Sequence, residues 1–105
     1  MRGRPNLTVK LHAQALRILT EGGRAVGVEL VAGSDRTPVR VRAEREVIVS
    51  SGAFGSPKLL MQSGIGPAAH LQSVGVNVVH DLVGVGSNLQ DHLDLFVIAS
   101  ATPTS

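Results

Sequence analysis

The fold of this chain depends on residues 47–67, which read VIVSSGAFGSPKLLMQSGIGP. The first three residues form a continuous apolar run, which is typical of a strand buried on both faces. A small, glycine-rich stretch follows, and Ser56 is then a suitable N-cap for a helix whose first position is Pro57. A second short helix is expected to begin at Pro67 and to be capped at its C-terminus by Gly75. We therefore predict a buried strand, a tight turn and two short helices.

The residues on either side of this stretch favour strands and a loop. Apolar and polar residues alternate over residues 7–12, 16–18, 26–30 and 39–42, with turn signals at 21–24 and 33–35. This pattern predicts an antiparallel meander with one face in water. Residues 76–78 are expected to form a strand, residues 82–92 a loop and residues 93–99 a last strand. The predicted class is α+β: an antiparallel β meander followed by a buried strand, two short helices and a long loop.

The composition excludes several classes of protein. The chain has 105 residues, which fits one domain, and its 43% hydrophobic and 17% charged residues exclude global disorder. It has no cysteine, so disulfides and thiolate metal sites are excluded. No apolar run approaches the roughly 20 residues of a membrane helix, so we expect a soluble, cytoplasmic protein with no transmembrane segment. The lysines and arginines all lie at or before Lys58, but no aromatic residues interleave with them, so no nucleic-acid partner is expected.

The turn before the first helix is the first candidate site. A helix N-terminus offers unpaired N–H groups and a partial positive charge, and Gly52, Ala53 and Gly55 have little side chain to block a ligand. A phosphate or a flat cofactor can lie against such a backbone, and a tight turn with no ligand is the alternative. Residues 64–69 match the G-x-G-x-x-A string of dinucleotide-binding folds. They follow a helix and not a strand, so we interpret these glycines as a corner between helices.

Residues 88–94, which read NLQDHLD, are the second candidate site. His92 and Asp94 would face the same side of a strand that begins there. A metal site is possible by composition, but the sequence offers no third ligand at a recognised spacing. A hydrolase that uses Ser51 and His92 is a weaker interpretation, because no G-x-S-x-G motif is present. The residues by themselves leave open a stand-alone phosphate-binding module and a small serine hydrolase.

Four ordered blocks of the sequence resemble the glucose-methanol-choline (GMC) oxidoreductase family. Residues 51–67 are similar to the second signature of that family, and the other blocks lie at residues 4–9, 24–28 and 84–92. The resemblance covers nearly the whole chain, and the bacterial choline and alcohol dehydrogenase branch is the one that it resembles most. It implies a segment of an FAD-binding GMC-type fold. It also implies oxidation of a small-molecule alcohol by hydride transfer to the flavin, with a separate electron acceptor.

The resemblance also implies roles for individual residues. The residues expected to contact FAD are Ala15, Ser51, Gly52, Ala53, Ser56, Pro57, Asn88 and Gln90. His92 and Asp94 are expected to face the substrate. Asp94 stands where choline-oxidising members carry a Glu that faces a quaternary ammonium group. Because Asp is one methylene shorter than Glu, the resemblance leaves open the possibility of a substrate other than choline.

Two other motifs of the family have no counterpart in these residues. They are the N-terminal G-x-G-x-x-G and the C-terminal catalytic histidine, so no catalytic residue is assigned here. Residues 1–105 are expected to be a single internal fragment of a longer enzyme. Most of it would belong to the FAD-binding domain, with a piece of the substrate domain from about residue 88. Such a fragment is expected to be inactive alone.

Overall fold

The computed structural model describes residues 3–34 and 36–100, which form two small sheets and two helices. The elements in chain order are β1 (Ala13–Glu21), β2 (Arg24–Ala32), β3 (Pro38–Arg42), α1 (Gly52–Gln62), β4 (Ile65–Gly66), α2 (Ala68–Ser73) and β5 (His80–Asp81). An antiparallel sheet in the order β1-β2-β3 comes first, and the helices with a short parallel β4-β5 pair follow. This architecture confirms the predicted α+β class and the antiparallel meander.

The turns of the meander lie where the sequence predicts them. Gly22 and Gly23, between β1 and β2, have φ angles of +56° and +77°. Positive φ at both central residues is the geometry of a two-residue hairpin turn, which glycine adopts without strain. Gly33 also has a positive φ of +80°, whereas Asp35 of the second predicted turn lies outside the described residues.

The charged face of the meander is the predicted wet face. Arg17, Glu29 and Arg40 are neighbours across the three strands. The Glu29 carboxylate accepts hydrogen bonds from Nε of Arg17 at 2.8 Å and from Nε of Arg40 at 3.0 Å. Arg42 and Glu21 form a further ion pair at 3.2 Å on the same sheet. These pairs link all three strands on the side that faces water.

Helix α1 packs on β1, and α2 also contributes a side chain to the small core. The buried apolar side chains of the described residues are Ile18, Leu59 and Leu71. Ser63, directly after α1, is also buried, and its Oγ donates to the Leu59 carbonyl at 2.6 Å. The same Oγ accepts from the Ile18 backbone N–H at 2.8 Å. Ser63 therefore satisfies an N–H at the free edge of β1 and fixes the helix against the sheet.

Helix α1 begins earlier than the sequence predicts. Its N-cap is Ser51 and its first residue is Gly52, so the prediction that Ser56 caps a helix beginning at Pro57 is wrong. Gly52 has a φ of +79°, a left-handed conformation that lets the chain turn directly into the helix. Pro57 lies inside the helix, and the Ser56 Oγ accepts a hydrogen bond from the Ser51 N–H at 2.9 Å.

Helix α2 ends as predicted. Gly75 has a φ of +75°; its N–H donates to the Gln72 carbonyl at 3.1 Å, and the Val76 N–H donates to the Leu71 carbonyl at 2.9 Å. These two bonds form a Schellman motif, the usual device by which glycine ends a helix. Pro67 is the N-cap of the helix rather than its first residue. Neither helix in the described part of the chain is long and apolar enough to cross a membrane.

Four segments predicted as strands are not strands in the structure. They are residues 7–12, 47–49, 76–78 and 93–99. A strand needs a neighbour to pair its backbone groups, and no strand within residues 3–34 and 36–100 pairs with these segments. Ile48 is 77% exposed, so the prediction that residues 47–49 are buried on both faces is also wrong. The short β5 at residues 80–81 forms in place of the predicted strand at 76–78.

Candidate functional site

A cavity of about 640 Å³ lies between helix α1 and residues 82–90, hereafter the cavity loop. Helix α1 contributes Ala53, Phe54, Ser56, Pro57, Lys58, Leu60 and Met61, and the loop contributes Val85, Gly86, Ser87, Asn88, Leu89 and Gln90. Most of these side chains are apolar, and Lys58 is the one charged side chain among the described lining residues. A concave, mostly apolar site of this size with a few polar groups is typical of small-molecule and cofactor sites.

One face of α1 forms the helix wall of the cavity. Phe54, Pro57, Lys58 and Met61 follow one another at spacings of three, one and three residues and lie on the same side of the helix. Phe54 is 76% exposed, so the described residues leave most of its ring uncovered. The helix therefore presents an aromatic ring and aliphatic surface toward the cavity.

Special backbone conformations hold the cavity loop against the helix. The Ser87 N–H donates to the Gly84 carbonyl at 3.2 Å, which closes a turn within the loop. Gly86 has a φ of +78°, and a Cβ built on it would lie 3.2 Å from the Cε of Met61. Asn88 has a φ of +57°, a conformation that Asn tolerates better than most residues. These residues allow the loop to follow the helix surface closely.

The N-terminus of α1 is open to a ligand. No side chain of the described residues caps it, so N–H groups of its first turn keep their hydrogen-bonding capacity. A Cβ built on Gly52 would meet no atom within 4 Å, which leaves space beside the backbone. Because a helix N-terminus carries partial positive charge, this position favours an anionic or electron-rich group.

A second cavity of about 740 Å³ lies beside the charged residues of the meander. Its arginines are Arg17, Arg40 and Arg42, whose guanidinium groups pair with Glu29 and Glu21. Hydrogen bonds from Arg17 and then Arg40 hold the pKa of Glu29 below its ordinary value, and the bond to Glu29 raises the pKa of Arg17. Each of these arginines already pairs with a carboxylate, so we assign no ligand to this cavity.

The structure brings together most of the residues that the sequence assigns to the cofactor. Those that line the cavity are Ala53, Ser56, Pro57, Asn88 and Gln90. Ser51 and Gly52 directly precede the lining residues of α1. Ala15 lies on β1 and is not part of the cavity lining.

The residues assigned to the substrate lie beyond the cavity lining. His92 and Asp94 are exposed and lie in an irregular segment, so the prediction that they share one face of a strand is wrong. The His92 backbone N–H donates to Oδ1 of Asp91 at 2.8 Å, and both residues line a depression of about 280 Å³. Among residues 3–34 and 36–100, no three His, Cys, Asp or Glu side chains are grouped so that they could hold a metal ion.

Sequence reasoning missed the remaining lining residues. These are Phe54, Lys58, Leu60, Met61, Val85, Gly86, Ser87 and Leu89. Phe54, Lys58 and Met61 share a face at four- and three-residue spacing, a signal that becomes readable once the helix start is known. The loop members carry no comparable signal, because the approach of Gly86 to Met61 joins residues far apart in the sequence.

The sequence is similar to that of one group of enzymes. A family model described as GMC oxidoreductase matches residues 1–94. The oxygen-dependent choline dehydrogenase of Pseudomonas aeruginosa (strain LESB58) is 56% identical over 96 residues, which are 91% of this chain and 17% of that protein. The enzyme of the same name from Pseudomonas putida (strain GB-1) is 54% identical over 99 residues, 94% of this chain and 18% of that protein. The chain thus spans less than a fifth of the length of these curated relatives.

The fold is similar to parts of larger solved structures. An FAD-dependent oxidoreductase from Chaetomium thermophilum matches with a TM-score of 0.70 and 34% identity, over 74% of this chain and 14% of that one. Pyridoxine 4-oxidase from Mesorbium loti matches with a TM-score of 0.69 and 38% identity, over 76% of this chain and 15% of that one. Sequence and fold therefore relate the chain to the same group of proteins.

Proposed function

The chain belongs to the GMC oxidoreductase family, and on this premise we propose that it forms one wall of the FAD site in a longer enzyme that oxidises an alcohol. The observation that carries the proposal is the cavity between α1 and the cavity loop, since it gathers most of the residues assigned to the cofactor. The similar proteins agree with it, because two are choline dehydrogenases and one is an FAD-dependent oxidoreductase. The chain alone is not expected to catalyse the reaction.

The residues of the cavity suit a dinucleotide cofactor with a flat ring. Phe54 and Met61 offer apolar surface to such a ring, and the amide groups of Asn88 and Gln90 can hydrogen-bond with its polar edge. The open N-terminus of α1 and the Lys58 ammonium favour electron-rich or anionic groups. When bound, FAD would supply the acceptor for a hydride from the alcohol carbon. The residues of this chain would bind the cofactor, orient it and exclude water from it.

The contact of Ala15 with the adenine is a separate part of the proposal. Ala15 lies on β1, outside the cavity lining, and its proposed contact is made by backbone atoms. A small side chain leaves such a contact unobstructed, so the identity of residue 15 would matter little to cofactor affinity.

The substrate wall of the proposed enzyme includes His92 and Asp94. Asp94 precedes the exposed apolar residues 95–98, a surface that we expect the rest of the protein to cover. A carboxylate in a partly dry wall attracts a cation by a few kcal/mol at an effective dielectric constant of about 20. We therefore propose a cationic or strongly polar alcohol as the substrate.

A segment exchange tests the proposed function. The part of the Pseudomonas aeruginosa relative that aligns with this chain is replaced by this chain, and bound flavin per polypeptide is measured. We expect the chimera to bind FAD and the isolated chain to bind it weakly or not at all, because the chain supplies only one wall. A folded chimera without flavin contradicts the proposal. Sub-micromolar affinity of the isolated chain for FAD indicates an independent binding module instead.

Two glycines provide a matched control within the chimera. Gly52 and Gly75 have φ angles of +79° and +75°, and a Cβ on either would meet no atom within 4 Å. Valine at either position strains the backbone by about 1–3 kcal/mol, but only Gly52 lies beside the candidate cavity. We expect Gly52→Val to lose flavin and Gly75→Val to keep it, with similar drops in melting temperature. Equal loss of flavin in both variants would mean that strain alone explains the effect.

Replacement of Asp94 tests the substrate proposal in the same chimera. Asp94→Asn removes the charge and keeps the size of the side chain. We expect the variant to raise KM several-fold for a quaternary-ammonium alcohol and to leave KM nearly unchanged for a neutral alcohol of the same size. Equal changes for both alcohols rule out an electrostatic role.

A further inference from the structure

Helix α2 receives its N-terminal cap from a residue 13 positions later in the chain. The N–H of Ala68, the first residue of α2, donates to Oδ1 of Asp81 at 2.9 Å. Pro67 is the N-cap residue, and no side chain at that position caps the helix within the described residues. Asp81 therefore supplies the cap from outside the helix and places a negative charge at its N-terminus, and both effects stabilise α2.

The capping bond belongs to a ladder that ties β5 to the corner between the helices. Asp81 pairs with Gly66 in the parallel β4-β5 pair. The His80 N–H donates to the Gly64 carbonyl at 3.1 Å, and the Leu82 N–H donates to the Gly66 carbonyl at 3.0 Å. After Leu82, the backbone hydrogen bonds that the described part of the cavity loop makes are local to the loop. Asp81 is thus the side-chain anchor at the point where the loop begins.

The cavity loop leaves this anchor and meets α1 at Gly86. A Cβ built on Gly86 would lie 3.2 Å from the Cε of Met61 and 3.9 Å from the Cβ of Pro57. Met61 and Pro57 both line the cavity. We therefore expect a shift of the anchor to change the distance between the loop and the helix, and with it the width of the cavity.

We propose that Asp81 is a positioning residue of the cavity. Its bond to the Ala68 N–H fixes where the cavity loop begins, and thereby how far the loop lies from α1. Asp81 is not a lining residue, so it acts through the loop and not by contact with a ligand. Its consequence for FAD rests on the proposed function, whereas the contact between loop and helix can be measured without any ligand.

Methyl NMR on the full chain measures this contact directly. The chain has two methionines, Met1 and Met61, so methyl labelling gives two signals that are readily assigned. In the wild type we expect a cross-peak between the Met61 methyl group and the Gly86 α-protons. In Asp81→Ala we expect this cross-peak to disappear. In Asp81→Asn we expect it to remain, because Asn keeps an acceptor oxygen at the same reach and caps helices about as well as Asp.

Amide hydrogen exchange provides the second readout. The Val85 and Ser87 N–H groups form the local bonds of the loop. We expect Asp81→Ala to speed their exchange by about fivefold, the size that loss of a helix cap implies. The exchange of amides in β1 and β2 should not change. Asp91→Ala is the matched control, since the Asp91 carboxylate accepts only a local bond from His92 and its removal should alter neither readout.

Each outcome bears on the proposal. An unchanged cross-peak with unchanged loop exchange in Asp81→Ala overturns it. Equally fast exchange in the meander overturns it too, because Asp81 would then serve general stability. Failure of Asp81→Asn to restore the contact contradicts the capping role. If the chimera fails to bind flavin while the NMR and exchange results are as expected, the proposed function is wrong and the positioning role of Asp81 stands.

Discussion

The meander and three other segments of the chain are built from similar residues but reach different states. The meander is residues 13–42, and the other segments, hereafter the unpaired segments, are residues 7–12, 47–49 and 93–99. In the meander each strand has a hydrogen-bonded neighbour, and Ile18 is 6% exposed. In the unpaired segments Ile48 is 77% exposed and Phe96 is 84% exposed. An apolar or alternating pattern is therefore not enough for a strand, because the backbone also needs a partner.

The difference indicates where the missing partners come from. The meander closes on itself through short turns between neighbouring strands, so its partners are local. The unpaired segments expose many large apolar side chains, and such surface usually marks an interface with other protein. We propose that the rest of a longer protein supplies their neighbours. The comparison with relatives supports this, because the chain spans less than a fifth of their length.

The largest expected effect comes from breaking the meander at Gly27. This residue is buried in β2, and a Cβ built on it would collide with the Val41 carbonyl oxygen. We expect Gly27→Val to lower the free energy of unfolding of the chain by about 3 kcal/mol, or to abolish the sheet. Urea unfolding followed by far-UV circular dichroism measures this. The control is Gly84→Val, at a position where an added Cβ would meet no atom within 4 Å, and it should stay within about 0.5 kcal/mol of the wild type.

Ser63→Ala tests how the meander is joined to α1. The variant removes the oxygen between Ile18 and Leu59 and leaves the Ile18 N–H buried without its partner. We expect a loss of about 2 kcal/mol, since an unsatisfied buried donor costs about 1–3 kcal/mol. Ser73→Ala removes a similar but exposed bond to the His70 carbonyl, so it should cost much less. Equal losses in the two variants would show that burial of Ser63 does not matter.

Ile48→Ser tests the unpaired segments themselves. In the isolated chain Ile48 is exposed, so the substitution should change the free energy of unfolding by less than about 0.5 kcal/mol. In the chimera, where we propose that the segment gains a neighbour, the same substitution should cost about 1.5 kcal/mol or more. Chemical unfolding of both proteins gives the comparison. A neutral result in the chimera means that residues 47–49 stay exposed there as well.

Acidification tests the charged face of the meander and has the smallest expected effect. The pKa of Glu29 is lowered from its ordinary value of 4.5 by hydrogen bonds from Arg17 and Arg40. The stabilisation from this pairing is therefore present above the ordinary pKa and is lost as the pH falls through the lowered one. We expect the melting temperature of the wild type to fall more on acidification than that of Glu29→Gln. Parallel pH profiles for the two proteins would contradict this role.

Local signals in the sequence predict the fold where the structure depends on near neighbours. Gly22 and Gly23 identify the hairpin turn, and Gly75 identifies the end of α2, because each needs only its own positive φ. The start of α1 is missed because Gly52 turns the chain into the helix before Pro57, a good first residue, is reached. The unpaired segments are missed because pairing depends on residues far away.

The candidate site is predictable in part for the same reason. Ser56 and Pro57, which the family resemblance assigns to the cofactor, line the cavity, although their predicted places in the helix are wrong. Asn88 and Gln90 are assigned through the family resemblance, and the structure brings them to α1. The anchor at Asp81 has no sequence signal, because its bond to Ala68 depends on the parallel pairing of two very short strands.

The outer strand of the meander also has a consequence for solubility during synthesis. Among the described residues, strand β3 is an edge of its sheet with Val39 and Val41 nearly half exposed, the kind of edge to which another copy can add a strand. Arg40 and Arg42 alternate with these valines. Arg42 pairs with Glu21, but Glu29 neutralises only one of the two arginines that it contacts, so the face keeps a net positive charge. A second copy that paired here would bring its own arginines against these, and like charges placed opposite one another repel. The arginines of β3 therefore oppose the strand addition by which exposed sheet edges begin to aggregate.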